Sequence, residues 1–275
     1  MINGGKTIIA GVLGWPVSHS LSPRVHGYWL REFSIDGAYI PLPVGAENLA
    51  KAVAGLRAMG FVGVNVTSPH KQAILELVDE VEDSAARTGS ANTLVIRRDG
   101  ALRASSTDGI GFLSSIRTAR ADWMIDGPAV ILGAGGAAKA IAFSLMDAGV
   151  TNLHIVNRSS ESGEFLAKAV GNIAEFRPWS ERTAVLESAA LLVNATSLGM
   201  VGAPALDLVL DSLPSDALVV DIVYTPLETN LLREARARGN PVVDGLGMLL
   251  HQAVPGFSAW FGRTPKVTPE LRTFV

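Results

Sequence analysis

The chain of 275 residues has no cysteine. That excludes disulfides and thiol chemistry and fits a cytoplasmic protein. It has no apolar run of the roughly 18 residues that a membrane-crossing helix needs. The apolar segment from Thr7 to Trp15 could pass for a signal-peptide core. It leads straight into a turn, Gly14-Trp15-Pro16, and a polar motif, so it reads as a buried first strand. Charge is sparse and nearly balanced: 18% of residues are charged and the net charge is −3. No basic stripe stands out, so the composition gives no support for nucleic-acid binding. Arg233, Arg236 and Arg238 sit in a helical, charged stretch and read as a solvated face. The five histidines show no metal-ligand spacing. His19 and His26 are the closest pair, and no metal site is expected.

What the chain does have is a glycine-rich loop in its middle. Gly133-Ala134-Gly135-Gly136-Ala137-Ala138 follows the apolar run 129–132 and opens an apolar helical stretch, 139–148. A dinucleotide's pyrophosphate needs this order of strand, tight turn and helix start. Gly133 makes the turn, Gly135 lets the backbone approach the phosphates, and small Ala138 lets helix and strand pack closely. The helix start adds N–H groups and a positive dipole end.

About 20 residues after such a loop, an NAD enzyme places an acid on the ribose 2′-hydroxyl. Here the next apolar run, 153–156, ends in Asn157-Arg158-Ser159. A carboxylate would repel a 2′-phosphate, whereas an arginine pairs with it through charge-assisted hydrogen bonds. The pattern predicts NADP.

The rest of the chain alternates short apolar runs with helical patterns, which implies parallel βαβ units. In the first half, strands are expected at 7–14, 38–44 and 61–66, and helices at 23–33 and 47–59. Asp99-Gly100, between runs 92–98 and 101–105, signals a hairpin. A helix is expected over 112–120. The second half should place strands at 129–132, 152–156, 172–176, 190–194, 217–223 and 241–243. A further helix, opening at Gly245, should return to the first half. The expected architecture is a two-domain α/β protein. Residues 1–108 with 248–275 would form a substrate domain, and 109–247 a Rossmann-type domain. The cleft between two such domains is a common place for a ligand.

Four polar clusters stand out. They are Ser18-His19-Ser20-Leu21-Ser22-Pro23, Asn65 to Lys71, Gly89 to Thr93, and Ser106-Thr107-Asp108-Gly109. The first two follow expected strands, where ligands of open parallel sheets bind. Together the four supply hydroxyls, an amide, an ammonium and a carboxylate, which suits a small polyhydroxylated acid. Each has a bland alternative as well: a helix cap at Ser22-Pro23, a surface lysine at Lys71, turn residues at Asn92 and Asp108.

In these clusters and beyond, the sequence resembles the shikimate dehydrogenases over essentially its whole length. The resemblance rests on Gly14-x-Pro16-x-x-His19-Ser20-x-Ser22-Pro23, Asn65-Val66-Thr67-x-Pro69-His70-Lys71, Gly89-x-x-Asn92-Thr93 and Thr107-Asp108-Gly109. It continues through the Gly133 loop, Asn157-Arg158-Ser159, Asn194-Ala195-Thr196-Ser197-x-Gly199-Met200, Asp221-x-x-Tyr224-x-Pro226, and Gly245-x-Gly247-Met248 with Gln252. It implies reversible, NADP-linked oxidation of shikimate to 3-dehydroshikimate by a monomer or homodimer. By position, Ser20 and Ser22 would hold the substrate carboxylate. Thr67, Lys71, Asn92, Asp108 and Gln252 would hold ring hydroxyls, with Tyr224 nearby. Lys71 would be the acid/base and Asp108 its partner. Gly133, Ala134, Gly135, Gly136, Ala137, Asn157, Arg158, Ser159, Ile222 and Gly245 would line the NADP site. The chain departs from the family pattern at Ser106, usually asparagine, and at Ser162, where many members carry a second arginine.

Overall fold

The computed structural model describes residues 4–275. The chain divides into two compact units, Met1–Thr107 with Leu249–Val275, and Asp108–Met248.

The first unit contains β1 (Ile8–Gly14), α1 (Ser22–Glu32), β2 (Gly37–Pro43), α2 (Leu49–Ala58), β3 (Gly63–Val66), β4 (Glu80–Val81), α3 (Asp83–Thr88), β5 (Thr93–Ile96) and β6 (Leu102–Ser105). Its sheet runs β2-β1-β3-β5-β6-β4. β2, β1 and β3 are parallel, while β5 pairs antiparallel with both β3 and β6. The β5–β6 hairpin turns through Asp99, which accepts from the Ala101 N–H, and Gly100, with φ of 85°. One face of the sheet buries Leu13, Val64, Val66, Leu94 and Leu102 with Leu49, Val53 and Leu56 of α2. The other face is aromatic: His26, Trp29, Tyr39, Phe257 and Trp260 touch one another. The Trp260 indole donates to the Leu94 carbonyl at 2.9 Å. A Cβ at Gly63 would lie 2.1 Å from that indole nitrogen, so the packing requires glycine there.

The second unit contains α4 (Asp108–Ala119), β7 (Ala129–Leu132), α5 (Gly136–Asp147), β8 (Leu153–Asn157), α6 (Ser160–Val170), β9 (Ala174–Pro178), β10 (Leu191–Asn194), β11 (Leu218–Asp221), α7 (Asn230–Ala237) and β12 (Val242–Val243). α8 (Gly245–Phe261) begins in this unit and ends in the first, where α9 (Pro269–Phe274) follows. The sheet is parallel throughout, in the order β12-β11-β10-β7-β8-β9. Alternate residues enter opposite cores. Ala129, Ile131, Leu191, Val193, Leu218 and Val220 face one cluster, and Val130, Leu132, Leu192 and Val219 the other. A sheet covered on both faces reads as a continuous apolar run, which explains why these strands stood out in the sequence. Strand order reverses between β7 and β10, and ligands of such sheets bind at the carboxyl ends beside that reversal.

Two expectations shift. The helix expected over 112–120 starts at Asp108. The strand expected over 217–223 covers only Leu218–Asp221, because the Val223 N–H turns to the Asp221 carboxylate. Between β10 and β11, residues 195–217 form turns and no helix. Among the described residues, no helix is long and apolar enough to cross a membrane.

Candidate functional site

In the first unit the loops after β1 and β3 are tied by their backbones. Thr67 N donates to Leu13 O at 2.9 Å, and Trp15 N to Ser68 O at 3.0 Å. A Cβ at Gly14 would lie 2.3 Å from Thr67 Cγ2, so only glycine allows this approach. Ala91 N donates to Lys71 O at 2.8 Å, and Val66 N to Asn92 O at 2.8 Å. The Lys71 loop is thereby joined to the residues that start β5. His70 is 1% exposed, its Nε2 2.7 Å from Val44 O, and it anchors the turn just before half-buried Lys71. Ser22 is not the cap of α1. Leu21 holds that position, and the Ser22 N–H donates to Ser20 Oγ at 3.3 Å. The Ser22 hydroxyl is therefore not occupied in capping.

Asn92 is the hub. Its Oδ1 accepts from Thr107 N at 2.9 Å and Thr93 Oγ1 at 3.1 Å. Its Nδ2 donates to Thr107 Oγ1 at 3.0 Å and Gln252 Oε1 at 3.1 Å. Thr107 Oγ1 also lies 2.8 Å from Gln252 O. Behind Asn92, Asn65 Nδ2 donates to Asn92 O and Thr93 Oγ1, and Tyr39 donates to Asn65 Oδ1 at 2.6 Å. Tyr39, Asn65, Thr93 and Thr107 carry this network, although none of them is among the residues expected to touch the substrate. A tyrosine in an apolar strand gives no sign that its hydroxyl meets an asparagine 26 residues on.

Ser20, Ser22, Thr67, Lys71, Asn92 and Gln252 thus lie in the first unit, on its β1, β3 and β5 loops and on α8. Asp108 directly follows Thr107 in the chain. It is 5% exposed and opens α4 in the second unit, which also holds Tyr224 and all the expected dinucleotide residues.

In that second unit, the loop after β7 sits at the reversal of strand order. Gly133 has φ of 110°, and a Cβ there would lie 3.1 Å from both Ala195 O and Thr196 Cγ2. Backbone and packing both demand glycine. Gly135 differs. Its φ of −77° and ψ of −175° suit any residue, and a Cβ would meet no protein atom within 4 Å. Nothing in the fold requires glycine there, whereas a pyrophosphate lying against the backbone would; the loop fits that group. Ala138 is fully buried behind it. A Cβ at Gly245 would lie 2.2 Å from Ile222 O, so α8 starts hard against the end of β11.

After β8, Asn157 donates to Ser159 O at 2.9 Å, and Ser159 Oγ accepts from Ser162 N as the cap of α6. Arg158 is exposed and has no hydrogen bond or ion pair within the chain among the described residues. A second network fixes the β10 and β11 ends. Asn194 donates to Asp221 Oδ1 at 3.0 Å, and Thr229 to Oδ2 at 2.7 Å. Burial raises the Asp221 pKa, opposed by these bonds and the Val223 N–H. Burial also raises that of Tyr224. Among the described residues, no group of three or more His, Asp or Glu side chains could hold a metal.

Known proteins share this sequence and fold. Family models match three segments: the shikimate dehydrogenase substrate binding domain at residues 12–94, shikimate/quinate 5-dehydrogenase at 119–223, and the shikimate 5′-dehydrogenase C-terminal domain at 245–269. The shikimate dehydrogenase (NADP(+)) of Paramagnetospirillum magneticum is 54% identical over 98% of this chain and 99% of its own. Two solved structures superpose closely. Quinate dehydrogenase from Corynebacterium glutamicum, in complex with NAD, has a TM-score of 0.90 at 30% identity, covering 98% of each chain. Shikimate 5-dehydrogenase from Thermus thermophilus, in complex with NADP(H) and shikimate, scores 0.87 at 35% identity, covering 98% of this chain and 100% of that one.

Proposed function

The chain belongs to the shikimate dehydrogenase family, and we propose that Lys71 and Asp108 are the acid–base pair of its active site. The enzyme is an NADP-dependent oxidoreductase acting on a CH–OH group. It reversibly reduces 3-dehydroshikimate to shikimate, a step toward chorismate and the aromatic amino acids. Residues 1–108 with 248–275 bind the substrate, and 109–247 bind NADP. The protein works in the cytoplasm as a monomer or homodimer.

When bound, the dinucleotide would supply the hydride chemistry at the substrate carbinol carbon, accepting hydride as NADP+ and donating it as NADPH. The chain must handle the proton of the same hydroxyl. In the oxidation direction an amine at Lys71 takes it, and in reduction the ammonium gives it back to the carbonyl oxygen. The Asp108 carboxylate orients the ammonium and stabilises its charge. Ser20 and Ser22 hold the substrate carboxylate. Thr67, Asn92 and Gln252 hold the ring hydroxyls, and Tyr224 flanks the ring. Gly133, Ala134, Gly135, Gly136 and Ala137 would hold the pyrophosphate on backbone N–H groups. Asn157, Arg158 and Ser159 would take the adenosine end, with the Arg158 guanidinium pairing with the 2′-phosphate. Ile222 and Gly245 would line the remainder.

One observation carries the substrate assignment. Asn92 and Gln252, 160 residues apart in sequence, meet at 3.1 Å and are both tied to Thr107, the residue before Asp108. Polar side chains brought together from so far apart, buried Asn92 and half-buried Gln252, suit a polyhydroxylated ligand better than a core. Initial rates with shikimate and quinate, each against NADP and NAD, test the reading. Shikimate with NADP should give the highest kcat/KM; a preference for quinate with NAD would overturn it.

A further inference from the structure

The hydrogen bonds behind Asn92 have a fixed direction, and three backbone groups set it. The Asn92 carbonyl can only accept, so the Asn65 side chain must turn Nδ2 toward it, at 3.0 Å. Asn65 Oδ1 then faces Tyr39, whose hydroxyl must donate, at 2.6 Å. The Thr107 N–H can only donate, so Asn92 must present Oδ1 to it, at 2.9 Å, and turn Nδ2 to Gln252 Oε1. The Leu249 carbonyl can only accept, so Gln252 turns Nε2 to it, at 3.1 Å.

The side chains between these points all donate the same way. Tyr39 donates to Asn65, Asn65 to Thr93, Thr93 to Asn92, and Asn92 to Gln252. Tyr39, Asn65, Asn92 and Thr93 are all 7% exposed or less, so water cannot substitute for a missing link. The Tyr39 ring is itself clamped, lying flat on His26 at 3.9 Å. Aligned bonds in a buried chain strengthen one another, and one unmade link leaves a costly orphan.

We propose that Tyr39 is a positioning residue: its donation to Asn65 reinforces the orientation that the backbone groups impose and, through Thr93, steadies the Asn92 and Gln252 amides that meet the substrate's ring hydroxyls. The inference rests on the reading that Asn92 and Gln252 hold those hydroxyls. With Gln252 Oε1 accepting from Asn92 and one Nε2 proton on Leu249, Gln252 keeps its second Nε2 proton to donate to a ring hydroxyl. Selection among patterns of hydroxyls therefore depends partly on a phenol behind the site.

Tyr39→Phe tests this, because it keeps the ring on His26 and deletes only the hydroxyl. The KM for shikimate should rise about three- to tenfold, as expected for one unmade buried hydrogen bond, with kcat within about twofold. NADPH affinity, from fluorescence titration, should not change. The sharper readout uses shikimate analogues lacking the C4 or the C5 hydroxyl. Wild type should lose kcat/KM on at least one of them, and Tyr39→Phe should lose less, because the deleted contact is already loosened. Thr93→Val breaks the same chain one link on and should repeat the result if Tyr39→Phe folds poorly. A lowered melting temperature with unchanged KM and unchanged analogue penalties would show a purely structural tyrosine and overturn the proposal. A normal KM in Gln252→Ala would instead overturn the reading beneath it.

Discussion

The imidazole of His26 lies flat on the phenol of Tyr39, with ring centroids 3.9 Å apart and planes 2° from parallel. His26 is fully buried, and neither ring nitrogen has a hydrogen-bond partner among the described residues. Burial lowers its pKa to about 3. As the pH falls, the unfolded chain takes up this proton near 6.5, and the folded chain does so only near 3. The stability is therefore whole above about pH 6.5 and is lost progressively down to about pH 3. Between pH 7 and 5 the loss should be about 2 kcal/mol. Urea midpoints at the two pH values should show it, and His26→Phe should reduce the difference. Equal pH sensitivity in the two proteins would place the titration elsewhere.

Gly133 and Gly135 should respond in opposite ways to alanine. Gly133→Ala forces a Cβ into φ of 110° and against Ala195, which should cost about 1–3 kcal/mol of stability and lower the melting temperature. Gly135→Ala meets neither obstacle. It should leave the melting temperature unchanged or slightly raised, yet weaken NADP about tenfold or more by placing a methyl where the phosphates lie. Calorimetry and NADPH titration separate the two effects. Unchanged NADPH affinity in Gly135→Ala would argue against the pyrophosphate assignment.

Arg158 should read the 2′-phosphate. A hydrogen bond to a charged group contributes about 1.5–3 kcal/mol, so Arg158→Ala should weaken NADP roughly ten- to a hundredfold. NAD affinity should change little. Equal losses for both cofactors would mean that Arg158 does not recognise the phosphate.

Gly14→Ala tests how the substrate loops are held. Its Cβ would lie 2.3 Å from Thr67 Cγ2, so the loop of Thr67 and Lys71 must move. Shikimate kcat/KM should fall about tenfold or more, while NADPH titrates normally. Normal kcat/KM would show that this contact does not position the loop.

The parallel sheets, the glycine loop and the polar clusters were legible because each leaves a local mark: an apolar run, a required turn, a strand followed by polar residues. The hydrogen-bond partners were not. Tyr39 and Asn65 lie 26 residues apart, and Asn92 and Gln252 lie 160 apart; only the fold brings them together. The ends of β10 and β11 left no such mark, because the buried Asn194 and Asp221 side chains satisfy backbone groups there in place of regular structure.

The central claim is that Lys71 transfers the hydroxyl proton. The direct measurement is the single-turnover rate of NADPH formation from enzyme saturated with shikimate and NADP, in wild type and Lys71→Ala. General acid–base catalysis contributes about 10²–10⁴-fold, so the rate should fall by that order. The shikimate dissociation constant should move much less, since Ser20, Ser22, Asn92 and Gln252 remain. Lys71→Arg should not restore the rate, because a guanidinium does not readily give up a proton. A Lys71→Ala enzyme that turns over within a few-fold of wild type would contradict the mechanism.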